Sequence, residues 1–172
     1  MSVKVLAMLA AAGTLMAASQ AQARPDLVNF PEAYEPGTIV VKTTQRKLYL
    51  VVGQGQAVRY PVGVGKVGKQ WAGATRIDGK YRNPAWSPPA DVKRDKPGMP
   101  DVIPGGSPAN PMGVAAMTLA GGGQYAIHGT APSMRSSIGG YVSYGCIRMY
   151  NEDITDLYDR VSVGTPVVVT AR

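Results

Sequence analysis

Two reactive side chains occur once each in this 172-residue chain, a cysteine at position 146 and a histidine at position 128. A thiol attacks as the thiolate, so it works beside a base or cation that lowers its pKa. An imidazole supplies the base and can later protonate a leaving amine. Cys146 lies 18 positions after His128, within Ser143-Tyr144-Gly145-Cys146-Ile147-Arg148, and His128 sits in Ile127-His128-Gly129-Thr130. Glycine before the thiol lets a substrate carbonyl approach the backbone closely. The N–H groups around Gly145 and Cys146 could then form an oxyanion hole. No Asp or Asn stands beside His128 in the sequence, which leaves a backbone carbonyl as one candidate to hold its tautomer.

Each residue also has a plainer reading. A lone Cys is often a buried structural thiol, and a lone His is often a satisfied core residue. Arg148 could pair with a local carboxylate such as Asp153, or bond to the backbone. The conjunction favours chemistry: sole Cys, sole His, Gly before the thiol, Arg two residues after it, and an export signal.

With these motifs the chain resembles the L,D-transpeptidase catalytic domain of the YkuD type. That family is marked by His-Gly followed by Ser-His-Gly-Cys-(Ile/Val)-Arg, matched here by His128-Gly129 and by Ser143 to Arg148. One position departs, with Tyr144 where His is common. The resemblance implies a two-step acyl transfer on peptidoglycan stem peptides. Cys146 would attack the carbonyl of the third residue of a tetrapeptide and expel D-Ala, with His128 as base and then acid. The Gly129 carbonyl would orient the ring, and the Tyr144, Gly145 and Cys146 N–H groups would hold the oxyanion. Arg148 would shape the site or attract a stem carboxylate. Ser143 would support it by hydrogen bonding, and Tyr144, Tyr125, Trp71 and Trp86 would line the cleft.

An amine would resolve the thioester, either on a wall peptide or on an outer-membrane protein. Water as acceptor would make the chain an L,D-carboxypeptidase, and loss of catalysis would leave a wall-binding protein. The family's role in wall biogenesis and cell shape, and acylation of its Cys by carbapenems, are implied too. Sortase-like enzymes place the His much further upstream and the Arg further downstream, and wall-cutting cysteine peptidases usually place the Cys first.

The elements that must position these residues are mostly strands. Thr38–Lys42 and Lys47–Val52 are β-branched and aromatic runs around a polar turn, which predicts a hairpin. Ala57–Val64, Ala74–Tyr81, Met112–Leu119 and Gln124–His128 read as further strands, and Pro166–Val169 as a closing one. Asn83–Pro111 is rich in Pro and Gly and reads as a long loop without regular structure, a candidate lid or binding loop. One helix follows the cysteine. Asn151 is its expected cap, Glu152 and Asp153 suit its first turn, and Ile154, Leu157, Tyr158 and Val161 share a face. The expected fold is mostly β, a sandwich- or barrel-like L,D-transpeptidase catalytic fold with one main helix and irregular loops.

Met1–Ala23 has the layout of a signal peptide: Lys4, an apolar Val5–Ala18 stretch, then Ala21-Gln22-Ala23 for cleavage. The apolar stretch is short of the ~20 residues that span a bilayer, so export to the periplasm without a stable membrane anchor is expected. Arg24–Pro36 reads as an extended lead-in and residues 37–172 as the catalytic domain. A net charge of +7 suits an anionic wall or a substrate with free carboxylates, and the compartment argues against nucleic acid. A single thiol excludes an internal disulfide. One His and one Cys make a metal site unlike any usual zinc set, and thiolate acyl transfer needs no cofactor.

Overall fold

The computed structural model describes residues 26–122 and 124–171, so the expected leader Met1–Ala23 lies outside the described residues. The chain is mostly β, as its sequence predicts. The hairpin forms from β2 (Ile39–Lys42) and β3 (Lys47–Gly53), with Lys42 opposite Lys47. β4 (Gln56–Pro61) returns against β3, and β1 (Asp26–Asn29) pairs with β4. The supposed lead-in therefore supplies an edge strand of the sheet. β5 (Val64–Gly65) follows β4 after a break.

The long strand β6 (Gly73–Arg82) joins two parts of the sheet. Its first half pairs with β11 (Pro166–Thr170), and its second half pairs with β7 (Ala115–Leu119). A register shift between Ile77 and Gly79 marks the change of partner, as a bulge does when a strand bends. β8 (Ala126–His128), β9 (Tyr141–Ser143) and β10 (Ile147–Arg148) complete the set. The nine-stranded order is β1-β4-β3-β2-β11-β6-β7-β8-β10, with β5 and β9 as a separate parallel pair. The closing strand thus takes a central place between β2 and β6.

Alternation along the strands builds the core. Ile39, Val41, Leu48 and Leu50 face one side and cluster with Met117, Ile127 and Ile147 from the other part of the sheet. Val40, Tyr49 and Val51 face the opposite side, where they pack with Phe30 and Ala57. The helix α2 (Asn151–Arg160) inserts Ile154 and Leu157 into the main cluster, where both are fully buried. Burial of each such side chain contributes roughly 1.5–3 kcal/mol. Lys80 of β6 donates to the carbonyls of Tyr158 and Val161 at 2.7 and 2.6 Å, which satisfies acceptors at the helix C-terminus.

Two local expectations change. The cap of α2 is Tyr150, without a side-chain bond, and Asn151 is already the first helical residue. The 83–111 segment carries a short helix, α1 (Ala90–Asp95), and a bridge between Trp86 and Ile103. Its base is tied by Asn110, whose amide donates to the carbonyls of Pro84, Ile103 and Pro104. A short 3-10 turn, Pro132–Ser137, stands between the histidine and the cysteine.

Candidate active site

β8 and β10 run parallel, with Ile147 opposite Ile127 and Arg148 opposite His128. The two isoleucines enter the core, so His128 and Arg148 share the opposite face of this strand pair. Cys146 immediately precedes β10, one register step beyond Ile147. The pairing of two short strands thus brings the sole His and the sole Cys to one edge of the sheet. The Met149 N–H donates to the His128 carbonyl at 2.8 Å and extends that pairing.

His128 is 1% exposed. Its Nδ1 lies 2.7 Å from the carbonyl oxygen of Gly129, and a carbonyl only accepts, which assigns the proton to Nδ1. Nε2 then carries the lone pair that a base needs. Burial, and next the charge of Arg148, pull the imidazole pKa from 6.5 down to about 3, against the carbonyls of Gly129 and Pro111. The ring is neutral at neutral pH.

Cys146 is half-buried. Its thiol points at the Gln124 carbonyl at 3.8 Å and makes no hydrogen bond with the imidazole in this state. Burial pushes the thiol pKa up, against an Ala126 N–H and the Arg148 charge, which both favour the thiolate. The resting pair is therefore thiol and neutral imidazole. Free enzymes often hold such a pair loosely until substrate tightens it.

The turn before the thiol is fixed from three sides. Ser143 Oγ accepts the Gly145 N–H at 3.1 Å and donates to the Cys146 carbonyl at 2.6 Å. Trp71 Nε1 donates to the Gly145 carbonyl at 2.9 Å. Trp71 in turn stacks on Tyr125, with centroids 5.0 Å apart and planes within 5°. Gly145 has a φ of 124°, and a Cβ there would overlap the Tyr125 ring. Only glycine fits this position. With its N–H given to Ser143, Gly145 is not an available oxyanion donor, which corrects the three-donor expectation. The N–H groups of Tyr144 and Cys146 have no protein acceptor among the described residues.

Arg148 is 8% exposed and has no carboxylate partner among the described residues, so pairing with Asp153 does not occur. Its Nη1 donates to Ser137 Oγ at 2.9 Å, and its Nε is buried without a partner. Backbone bonds in both directions with Gly63 hold the residue, each 2.8 Å long. A Cβ at Gly63 would press on the Ser137 carbonyl and the Val142 side chain, so glycine permits this close approach.

Tyr144 does not turn toward the imidazole. Its hydroxyl donates to Asp95 of α1 at 2.7 Å, and its ring lies under the Lys66 ammonium at 3.9 Å. Lys66 also reaches Asp95 at 3.2 Å, and Lys69 pairs with Asp91. The long loop is thereby fastened beside the Cys146 turn by polar contacts at α1. Trp71 and Ser137 were weakly signalled or silent in the sequence; their roles arise from contacts between distant segments. Among the described residues no group of His, Cys, Asp and Glu could hold a metal, and no helix is long and apolar enough to cross a membrane.

Residues 36–169 match the model of the L,D-transpeptidase catalytic domain, the YkuD family. The chain is 35% identical over 152 residues to the probable L,D-transpeptidase YbiS of Escherichia coli, covering 83% of this chain and 47% of that protein. It spans about half the length of such relatives. An L,D-transpeptidase from Mycobacterium smegmatis has the same fold, with a TM-score of 0.60 at 23% identity, over 78% of this chain and 58% of that one. A Brucella melitensis structure called a probable carnitine operon oxidoreductase is 42% identical, with a TM-score of 0.56, over 86% of this chain and 93% of that one.

Proposed function

The chain belongs to the L,D-transpeptidase catalytic-domain family, and from that premise we propose that it is an exported cysteine transpeptidase acting on peptidoglycan stem tetrapeptides in the periplasm. The observation that carries this reading is the shared face of β8 and β10, which sets a neutral, Nδ1-protonated His128 beside the Cys146 turn.

In the first step the Cys146 sulfur forms a bond to the carbonyl carbon of the third stem residue while His128 Nε2 takes the thiol proton. The carbonyl electron pair moves onto oxygen, where the Tyr144 and Cys146 N–H groups stabilise it. Collapse breaks the C–N bond to the terminal D-Ala, whose nitrogen takes the proton from His128. An acceptor amine then attacks the thioester, gives its proton to His128, and releases the thiolate, which is reprotonated. The buried Arg148 charge favours the thiolate leaving at this point. Its own preference for an anion nearby also supports attraction of a stem carboxylate.

A wall amine is the acceptor that this reading adopts, with a protein amine on the outer membrane as a second substrate of the same thioester. The carnitine-related name of the Brucella relative finds no support here: Gly63-Val64-Gly65-Lys66-Val67-Gly68 has the spacing of a dinucleotide-binding fingerprint, but it opens no helix and runs instead toward the strand Gly73–Arg82. The test is product analysis after incubation with a disaccharide-tetrapeptide. A crosslinked dimer lacking one D-Ala is expected. A tripeptide alone would replace the reading by L,D-carboxypeptidase, and unchanged substrate would favour a wall-binding protein. Acylation of Cys146 by a carbapenem is expected on the same grounds.

A further inference from the structure

Asn151 begins α2, yet its side chain turns away from the helix and onto the segment that follows His128. Its Oδ1 accepts the Thr130 N–H at 3.0 Å and the Val114 N–H at 3.4 Å. Its Nδ2 donates to the Thr130 carbonyl at 3.0 Å. Asn151 thus binds both backbone groups of Thr130, as a neighbouring strand would. Gly113 and Gly129 make room for it, since a Cβ on either would overlap Oδ1.

The Thr130 N–H and the Gly129 carbonyl belong to one peptide unit. A trans peptide is planar, and its N–H and C=O point to opposite edges. Asn151 holds one edge of this plane, and His128 Nδ1–H bonds to the other at 2.7 Å. Fixing the N–H edge fixes the direction of the carbonyl. Donation from that N–H also polarises the carbonyl toward stronger acceptance. The Val114 contact ties in the segment that follows Pro111, whose carbonyl also faces the imidazole.

We propose that Asn151 is the positioning residue that sets the tautomer of His128, acting through the Gly129–Thr130 peptide plane. Because Asn151 lies five residues after Cys146, it also cross-links the nucleophile segment to the base segment, independently of the β8–β10 pairing. Its catalytic consequence rests on the transpeptidase reading, but its structural content does not.

His128 is the only histidine, so a sample labelled with 15N-histidine reports one imidazole without assignment. The protein should show a protonated Nδ1 and an unprotonated Nε2 near neutral pH. Asn151→Ala should mix the two tautomers in a folded protein, and should lower kcat on the disaccharide-tetrapeptide by roughly 10- to 100-fold with little change in KM. An unchanged tautomer in folded Asn151→Ala would overturn the inference. If that variant does not fold, Asn151→Asp carries the test, since it keeps an oxygen facing the Thr130 N–H. It should retain the Nδ1–H tautomer, and loss of the tautomer there would overturn the inference equally. The spectrum needs no substrate, so absence of turnover in the unsubstituted protein would count against the transpeptidase reading alone.

Discussion

Arg148 stands opposite His128 in the parallel register of β10 and β8, a buried guanidinium beside a buried imidazole with no carboxylate between them. A buried charge without a counter-ion is costly, and such groups concentrate where a charge develops during function. Here the candidate partner is the Cys146 thiolate or an anionic group of the substrate.

This arrangement makes the imidazole harder to protonate. Burial is the larger cause of its low pKa and Arg148 the second. Replacing Arg148 by Met, which keeps the aliphatic stem, should raise the His128 pKa from about 3 toward 6.5. An NMR titration of the single imidazole reads this directly. A value left at about 3 would assign the whole shift to burial.

The thiol shifts the other way, above its usual 9.0, so one protonation state should persist across the neutral range. With the base unprotonated above about pH 4 and the thiol protonated below about pH 9, kcat/KM should be level from about pH 5 to 8. Alkylation of Cys146 by iodoacetamide has no need of the base. Its rate should climb only above about pH 9, following the thiolate. A midpoint near pH 6 in the alkylation profile would show instead a preformed thiolate–imidazolium pair.

Gly145 is held between a left-handed backbone and the Tyr125 ring. Gly145→Ala should cut turnover by at least about 100-fold, because the displaced turn carries Cys146, the proposed nucleophile. Trp71→Phe keeps a ring to stack on Tyr125 but loses the bond to the Gly145 carbonyl. A neutral hydrogen bond is worth about 1 kcal/mol, so roughly a 5-fold fall in kcat is expected, with secondary structure unchanged by circular dichroism.

Asp153 lies buried in the first turn of α2 with Oδ2 unpartnered. Burial, then the charges of Glu152 and Asp156, raise its pKa from 3.8 to about 6. The folded state therefore holds this proton more tightly than the unfolded chain. The resulting stabilisation is present below about pH 4 and is lost as pH rises through about 6. Asp153→Asn should raise Tm at pH 7.5 by roughly 2–6 °C, with the gain vanishing near pH 4. His128 acts in the opposite sense. Its lowered pKa contributes stability above about 6.5 that is lost as pH falls toward about 3.

The parts of this molecule legible from sequence are those whose signal is local. The β2–β3 hairpin follows from Thr38–Val52 because alternation and a polar turn are read within a few residues. Cys146, His128 and Gly145 stand out because they are unique or carry a conformational demand. The rest depends on distant segments. α1 has only six residues and a proline cap, so it forms through the contacts of Asp91 and Asp95 with Lys69, Lys66 and Tyr144. Asn151 looks like a cap because Asn suits that position, but the bonds to Thr130 and Val114 draw its amide elsewhere. β11 reads in the sequence only as a closing strand, and its place between β2 and β6 is set by pairing with distant segments. The Trp71 bond to Gly145 spans 74 residues and leaves no trace in any short motif.

A covalent acyl-enzyme on Cys146 is the intermediate on which the proposed chemistry turns, and intact-mass spectrometry of the protein with a disaccharide-tetrapeptide detects it. Mixing without an added acceptor should give a mass increase equal to the substrate less one D-Ala, absent in Cys146→Ala. No adduct and no release of D-Ala from a folded sample, or an adduct that survives in Cys146→Ala, would contradict it.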